Sequence, residues 1–295
     1  MNKCIVNIIL VLLIGFASCV KVIDTDEIPG DRQPVVFAFV TEHGAFARLF
    51  WSSRLFIKEY DTANIADAKI SFYEEGQYKG LLEYVSNGYY ANNKITTFVG
   101  KEYKILIDIP DYETIEATTI MPEKVPVNFS IENCNAYGDC TLNQSFTSPT
   151  DMTTYYSMTV EITSYLNGLE NNSYYTLDFA PPMFTSLLHN KEVLFCDNMI
   201  DGIPYNCKVN MRRLLQKEDI ETGEIINYDS TIITPHFKTV NYDYYKFYTD
   251  VVKQDEISGN TFSDTYYLHS NIVNGYGIFA AYCENTDTFR LYLEK

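Results

Sequence analysis

The chain has 295 residues, 39 acids against 22 lysines and arginines, and a formal charge of −17 at neutral pH. That balance, with no run of Lys and Arg to build a basic patch, excludes nucleic acid as a partner, disfavours anionic head groups and keeps an exposed protein soluble. A hydrophobic share of 46% excludes disorder, and 25 Tyr with 18 Phe point to strands, because aromatic rings suit pleated, half-buried surfaces.

The first residues read as an export signal. Lys3 supplies a short positive region, and residues 5–16 are apolar apart from Asn7. A run of about a dozen residues is too short for a helix across a ~30 Å hydrocarbon core, but it suits the apolar region of a signal peptide over residues 1–18. Phe16-Ala17-Ser18 then leads into Cys19, which resembles a bacterial lipobox, with Cys19 acylated as the new N-terminus. Acyl chains contribute about 0.8 kcal/mol per buried methylene, so two or three of them hold a protein at a membrane. Residues 19–33 form an acidic linker. Its VKVIDTDE stretch resembles the surface-export signal of Bacteroidota-type lipoproteins, which places the anchored body on the outer membrane, facing the exterior. No later segment approaches 18 uninterrupted apolar residues.

From Pro34 onward the pattern is of successive strands. Residues 35–40 are a nearly continuous apolar run, as in a strand buried on both faces. Strands follow over 45–56, 68–73, 81–85, 89–90, 102–109 and 114–120, punctuated by turn signals at Asn87-Gly88 and Gly100. This density predicts an antiparallel, Ig-like β-sandwich over residues 34–122. Pro122, Pro126 and a small Cys134–Cys140 loop mark a boundary. The second unit, 123–295, is again β-rich, with strands over 127–131, 155–164, 173–179, 193–197 and 208–215. Residues 218–229 are polar and contain Gly223, as in a protruding loop or hairpin. One segment departs from this: Tyr244, Phe247, Tyr248, Val251 and Val252 recur at helical spacing within 242–254 and predict a single amphipathic helix. Gly275 and Gly277 lack the GK[ST] of a phosphate loop and read as a tight turn entering the last strands. The fold class is therefore mainly all-β.

An exported protein permits disulfides. Cys134 and Cys140 flank a turn-like segment, and Cys196 and Cys207 flank Asp201-Gly202, so each pair is a candidate bridge, the second across a hairpin. Cys283 is left over and reads as a buried thiol in a strand. His43, His189, His236 and His269 are scattered singly with no CxxC pair, so no metal site is expected.

Several segments in order resemble the domain-of-unknown-function 4249 family of lipoproteins. They are PVVFAFVTEHGAFARLFWSSR, DAKISFYEEG, NGYYANN and GKEYKILIDIPDYETIEATTIMP in the first half. FCDNMIDGIPY, Tyr242-Asp243-Tyr244-Tyr245 and SNIVNGYGIFAAY follow in the second. The resemblance implies an outer-membrane lipoprotein with an N-terminal sandwich and a β-rich C-terminal domain, of a kind often associated with TonB-dependent channels. It brings no catalytic residues, and the 218–229 segment looks like an insertion relative to its pattern.

Chemistry is otherwise sparse. There is no GxSxG, HExxH or SxxK, and no cysteine with a persuasive histidine partner, so no enzyme and no cofactor are expected. Tyr-Tyr pairs at 89–90, 155–156, 174–175, 244–245 and 266–267 can each expose one ring, able to stack on a sugar or anchor an interface. The expected function is that of an accessory surface lipoprotein of a TonB-dependent nutrient uptake system. The alternative is an independent glycan-binding or adhesive surface module.

Overall fold

The apolar run after Pro34 forms β1 (Pro34–Thr41), and both of its faces are covered, as an unbroken apolar strand requires. Val36, Ala38 and Val40 point into one core, and Phe37 and Phe39 into another. In the computed structural model, which describes residues 32–52, 63–150, 152–175, 187–189, 192–197, 202–218, 222–258 and 267–293, this strand is the centre of the molecule. Cys19, its signal peptide and nearly all of the acidic linker lie outside the described residues, as does Pro181-Pro182.

On one side β1 pairs antiparallel with β2 (Gly44–Trp51). On the other it pairs in parallel with β18 (Tyr276–Thr286), from the far end of the chain. Beyond β2 the sheet continues through β5 (Tyr89–Asn92), β4 (Gln77–Ser86), β3 (Lys69–Glu74), β6 (Glu102–Asp108) and β7 (Ile115–Ile120). β4 gives its first half to β3 and its last residues to β5, with a register irregularity between Tyr84 and Ser86. Such an irregularity bends a strand and lets the sheet fold over onto itself. The layers close on a core containing Leu49, Ile70, Phe72, Tyr103, Ile105 and Phe279.

Beyond β18 the same sheet runs on through β17 (Ser230–Val240), β10 (Tyr155–Leu166), β13 (Glu192–Cys196) and β12 (Leu187–His189). β11 (Leu169–Tyr174) pairs with the end of β10, and β19 (Phe289–Tyr292) with the start of β17. A separate three-stranded sheet of β8 (Val127–Glu132), β9 (Cys140–Thr147) and β14 (Pro204–Met211) covers this half. The rings of Phe146, Tyr156, Phe195 and Phe237 meet between the two layers at centroid distances of 4.8–6.3 Å. Each fully buried ring of this kind contributes about 1.5–3 kcal/mol relative to exposure. The fold is thus mainly β and sandwich-like, with two inner layers packed side by side on one shared sheet.

The opposite face of the shared sheet carries α1 (Tyr242–Ser258). Asn241 caps it, its Oδ1 accepting the Tyr244 amide at 3.1 Å. Tyr244 and Phe247 are buried over Phe39, Ile278 and Leu194, with Tyr248 and Val251 beside them, so the stripe read at helical spacing is the packed face. Among the described residues no helix is long and apolar enough to cross a membrane.

β18, from the far end of the chain, supplies Phe279, Ala281 and Cys283 to the first core, so the shared sheet runs through residues on both sides of 122. One expectation is corrected. Cys196 and Cys207 do not face each other across a hairpin: β13 pairs with β10 and β12, and β14 with β9 in the other layer. Both are free thiols. The polar 218–229 segment contributes a hairpin of β15 (Gln216–Glu218) and β16 (Ile225–Asn227).

Candidate functional site

Cys134 and Cys140 are joined by a disulfide that closes the small loop between β8 and β9. Inside it Asn135 organises the chain: its Oδ1 accepts the amides of Tyr137 and Asp139, each at 3.0 Å, and its Nδ2 donates to Asp139 Oδ2 at 2.9 Å. Gly138 stands at φ +82°, with the Leu215 amide so close that a side chain there would collide with backbone. That close approach lets the loop hold a second one. Leu214 and Leu215 donate their amides to the carbonyls of Gly138 and Tyr137, each at 3.3 Å, and the Arg213 amide donates to Asp139 Oδ1 at 2.8 Å. The Arg213 amide, the Asn135 side chain and the nearby guanidinium groups hold the Asp139 carboxyl below its ordinary range. Arg213 itself sits at φ +53°, in the left-handed region.

The turn presented in this way carries Arg212 and Arg213, and β15 follows at once with Gln216 and Lys217. Across from it β11 brings Asn171, Ser173 and Tyr174. Between the two lies a groove of about 490 Å³, floored by Ile162, Ser164, Leu214 and Tyr228. This size falls within the ~300–1,000 Å³ range of small-ligand sites. Tyr175 closes one end, its hydroxyl donating to the Asn210 carbonyl at 3.3 Å and accepting the Arg212 amide at 3.2 Å. Asn171 Nδ2 donates to the Tyr228 hydroxyl at 3.1 Å. Arg213 Nη1 lies 3.8 Å from Glu218 Oε2, an exposed pair that contributes little. Among the described residues the Arg212 guanidinium and the Lys217 ammonium make no ion pair, although Arg212 lies near enough to Asp139 to help keep its carboxyl ionised, and no Asp or Glu lines the groove.

A second groove, of about 550 Å³, opens at the β1–β2 turn between Phe46 and Tyr282 and contains Glu42, His43, Lys94 and Glu284. Its carboxylates are engaged. Glu42 pairs with Lys124 at 3.1 Å and accepts the Glu284 amide at 3.1 Å, while Glu284 pairs with His236 at 2.9 Å. Burial pushes the Glu284 carboxyl up, but the His236 hydrogen bond and the charges of His236, Lys238 and His43 outweigh it and hold it below the usual range. Deeper under α1, Glu192 accepts from Ser157, from the Tyr244 hydroxyl at 2.8 Å and from Lys238 at 3.4 Å. That network is closed on itself and joins helix to sheet.

Of the other residues singled out in the sequence, Cys283 is a buried thiol in β18, pushed up to about 12 chiefly by burial. His269 Nε2 lies 2.7 Å from the Asp243 Oδ1 carboxylate oxygen, within hydrogen-bond distance, and His189 lies in β12. Among the described residues no three His, Cys, Asp or Glu are grouped to hold a metal. The tyrosine pairs divide as alternation requires: Tyr90 and Tyr156 are buried, whereas Tyr89 and Tyr174 are exposed. Tyr244-Tyr245 belongs to α1, and Tyr266 lies outside the described residues. Arg212, Arg213 and Lys217 were not legible as site residues, because nothing local to them shows that β11 lies opposite.

The family profile described as Domain of unknown function (DUF4249) matches residues 21–288, which takes in every element above except the last strand. The chain belongs to that family. The match spans both inner layers, the shared sheet and the 212–229 segment that lines the first groove. No curated protein matches the chain significantly.

Proposed function

We propose that this DUF4249 protein is a surface-exposed outer-membrane lipoprotein, anchored through Cys19, that serves as an accessory subunit of a TonB-dependent nutrient uptake system and presents a ligand to its channel. The anchoring part rests on the lipobox-like Phe16-Ala17-Ser18-Cys19 and the acidic leader behind it. The observation that carries the capture role is the groove beside Arg212. In a chain of net charge −17 its lining holds Arg212, Arg213 and Lys217 together with amides and tyrosine rings, and no acid. Groups of this kind, gathered on a rigid β scaffold, are suited to holding a polar solute. The role is one of binding, without catalysis.

The test is affinity purification of the tagged full-length protein from detergent-solubilised outer membranes, with the co-purifying proteins identified by mass spectrometry. Stoichiometric recovery of a TonB-dependent β-barrel supports the reading; repeated recovery of the lipoprotein alone removes the accessory role. A second reading, an independent glycan-binding or adhesive module, draws on the exposed rings of Tyr89 and Tyr174. Under that reading ligand binding is retained while deletion of the gene leaves uptake of the ligand unchanged.

A further inference from the structure

We infer that the groove between β11 and the Arg212–Arg213 turn binds an acidic oligosaccharide, a glycan carrying uronate carboxylates or sulfate esters. This deepens the proposed capture role by naming its ligand class, and it rests on that role only for the biological use of the site. Three features converge on the chemistry. Arg212 and Lys217 offer charge-assisted donors in a groove that no carboxylate lines, and an Arg fork matches the two oxygens of a carboxylate or sulfate. Asn171 and Gln216 stand beside them; one amide hydrogen of each goes to the Tyr228 hydroxyl and to Asn227 Oδ1, respectively, and an amide group has further donor and acceptor capacity for sugar hydroxyls. Tyr174 is 51% exposed at the rim, an amphipathic ring on which the apolar face of a pyranose can lie.

The same geometry argues against a small inorganic anion as the intended ligand. The cations come from the 212–217 wall of the groove and the opposite wall, from β11, is aromatic and amide, so a simple ion would leave most of the lining unused.

The experiment is isothermal calorimetry on the full-length protein in detergent. The probes are oligogalacturonates, sulfated glycosaminoglycan fragments, the carboxyl-reduced or desulfated neutral counterparts of each, and inorganic sulfate. A charge-assisted hydrogen bond contributes enough that its loss weakens binding at least about tenfold. Acidic oligosaccharides are expected to bind at least about tenfold more tightly than their neutral forms, with affinity falling as salt rises. R212Q combined with K217Q should abolish that preference, and Tyr174→Ala should weaken both forms. Lys94→Gln, in the other groove, should change nothing. Arg212 and Lys217 are exposed and free of ion pairs, so the glutamine variants should retain the circular dichroism of the parent, which serves as the folding control. Preference for carboxylated over sulfated probes, or the reverse, identifies which anion the fork fits.

Equal binding of acidic and neutral probes overturns the inference, as does unchanged affinity in R212Q/K217Q, inorganic sulfate binding as tightly as the oligosaccharides, or no binding by any acidic probe. These results are separable from the fate of the accessory role. Neutral-glycan binding with a co-purifying channel leaves that role standing without this inference. Acidic-glycan binding with no channel recovered does the opposite.

Discussion

Gly277 in β18 lies so close against Val36 in β1 that a Cβ on it would overlap the Val36 carbonyl oxygen. Its φ of +113° is one that side-chain-bearing residues rarely adopt. This contact sets the parallel pairing that runs from Val35 with Tyr276 to Val40 with Ala281 and makes one sheet of the two halves of the chain. The Asn-Gly-Tyr-Gly sequence is therefore a device for close backbone approach. Glu116 and Val273 add to it by exchanging backbone hydrogen bonds, at 3.3 and 2.9 Å, which tie β7 to the segment leading into β18.

Gly277→Ala should accordingly destabilise the protein by at least about 2 kcal/mol, the strained φ and the backbone overlap acting together. Urea denaturation followed by tryptophan fluorescence measures it. A change below about 0.5 kcal/mol would show that the β1–β18 pairing tolerates a side chain there.

Phe237 is fully buried among Phe146, Tyr156 and Phe195. Truncation to alanine should cost about 3–5 kcal/mol, the usual range for a large core aromatic. The exposed Tyr78→Ala is the matched control and should fall within about 0.5 kcal/mol of the parent.

Replacing Cys134 and Cys140 together by serine opens a loop of sequence separation 6 and should cost about 2 kcal/mol through chain entropy alone. Because the Arg212–Arg213 turn leans on this loop through Gly138 and Asp139, ligand affinity at the groove should fall as well. Denaturation and calorimetry on the same variant test both effects. Full affinity in the opened loop would mean that the turn holds its shape without it.

Buried phenols predict alkaline unfolding. Burial raises Tyr103 and Tyr156 to about 12 from the ordinary value of 10.0. A folded-state pKa above the unfolded one means that the stability these groups contribute is complete below about pH 10. It is then lost as pH climbs toward about 12, at about 1.4 kcal/mol per group for each pH unit. Tyrosinate absorbance should therefore show an exposed class titrating near pH 10 and a second class appearing together with loss of the β-sheet circular dichroism. Smooth titration of every tyrosine with the fold intact would contradict the burial.

Cys19→Ala should release the protein from membranes. Fractionation of cells expressing the variant is expected to move it from the outer membrane to soluble or mislocalised pools. Retention equal to that of the parent would remove the lipid anchor from the account.

Much of the β character was readable locally. β1, β3, β6, β7 and β10 follow from apolar runs or strict alternation, which record directly how many faces of a strand are covered. Helix α1 was readable because Tyr244, Phe247, Tyr248 and Val251 share one face at 3.6-residue spacing. β17 was missed, since Pro235 speaks against a central strand. It is tolerated where the partner strand changes from β19, along Ser230–Ile233, to β18, along His236–Val240. The hairpin expected around Asp201-Gly202 failed for a related reason. Turn residues mark where the chain reverses but carry no record of which layer each arm then joins.

The sequence by itself determined the class of fold, the helix that begins at Tyr242, the absence of a basic surface and the identity of Cys19 as the candidate anchor. Each of these is written in composition or in neighbours a few residues apart. Only the tertiary structure decided that β18 completes the first core, that Cys196 and Cys207 lie in different layers, and that Arg212 and Lys217 face Tyr174 across a groove. Those relations depend on strand pairing between distant segments, and pairing is selected by the summed burial and hydrogen bonding of whole sheets. No short stretch of residues encodes that sum.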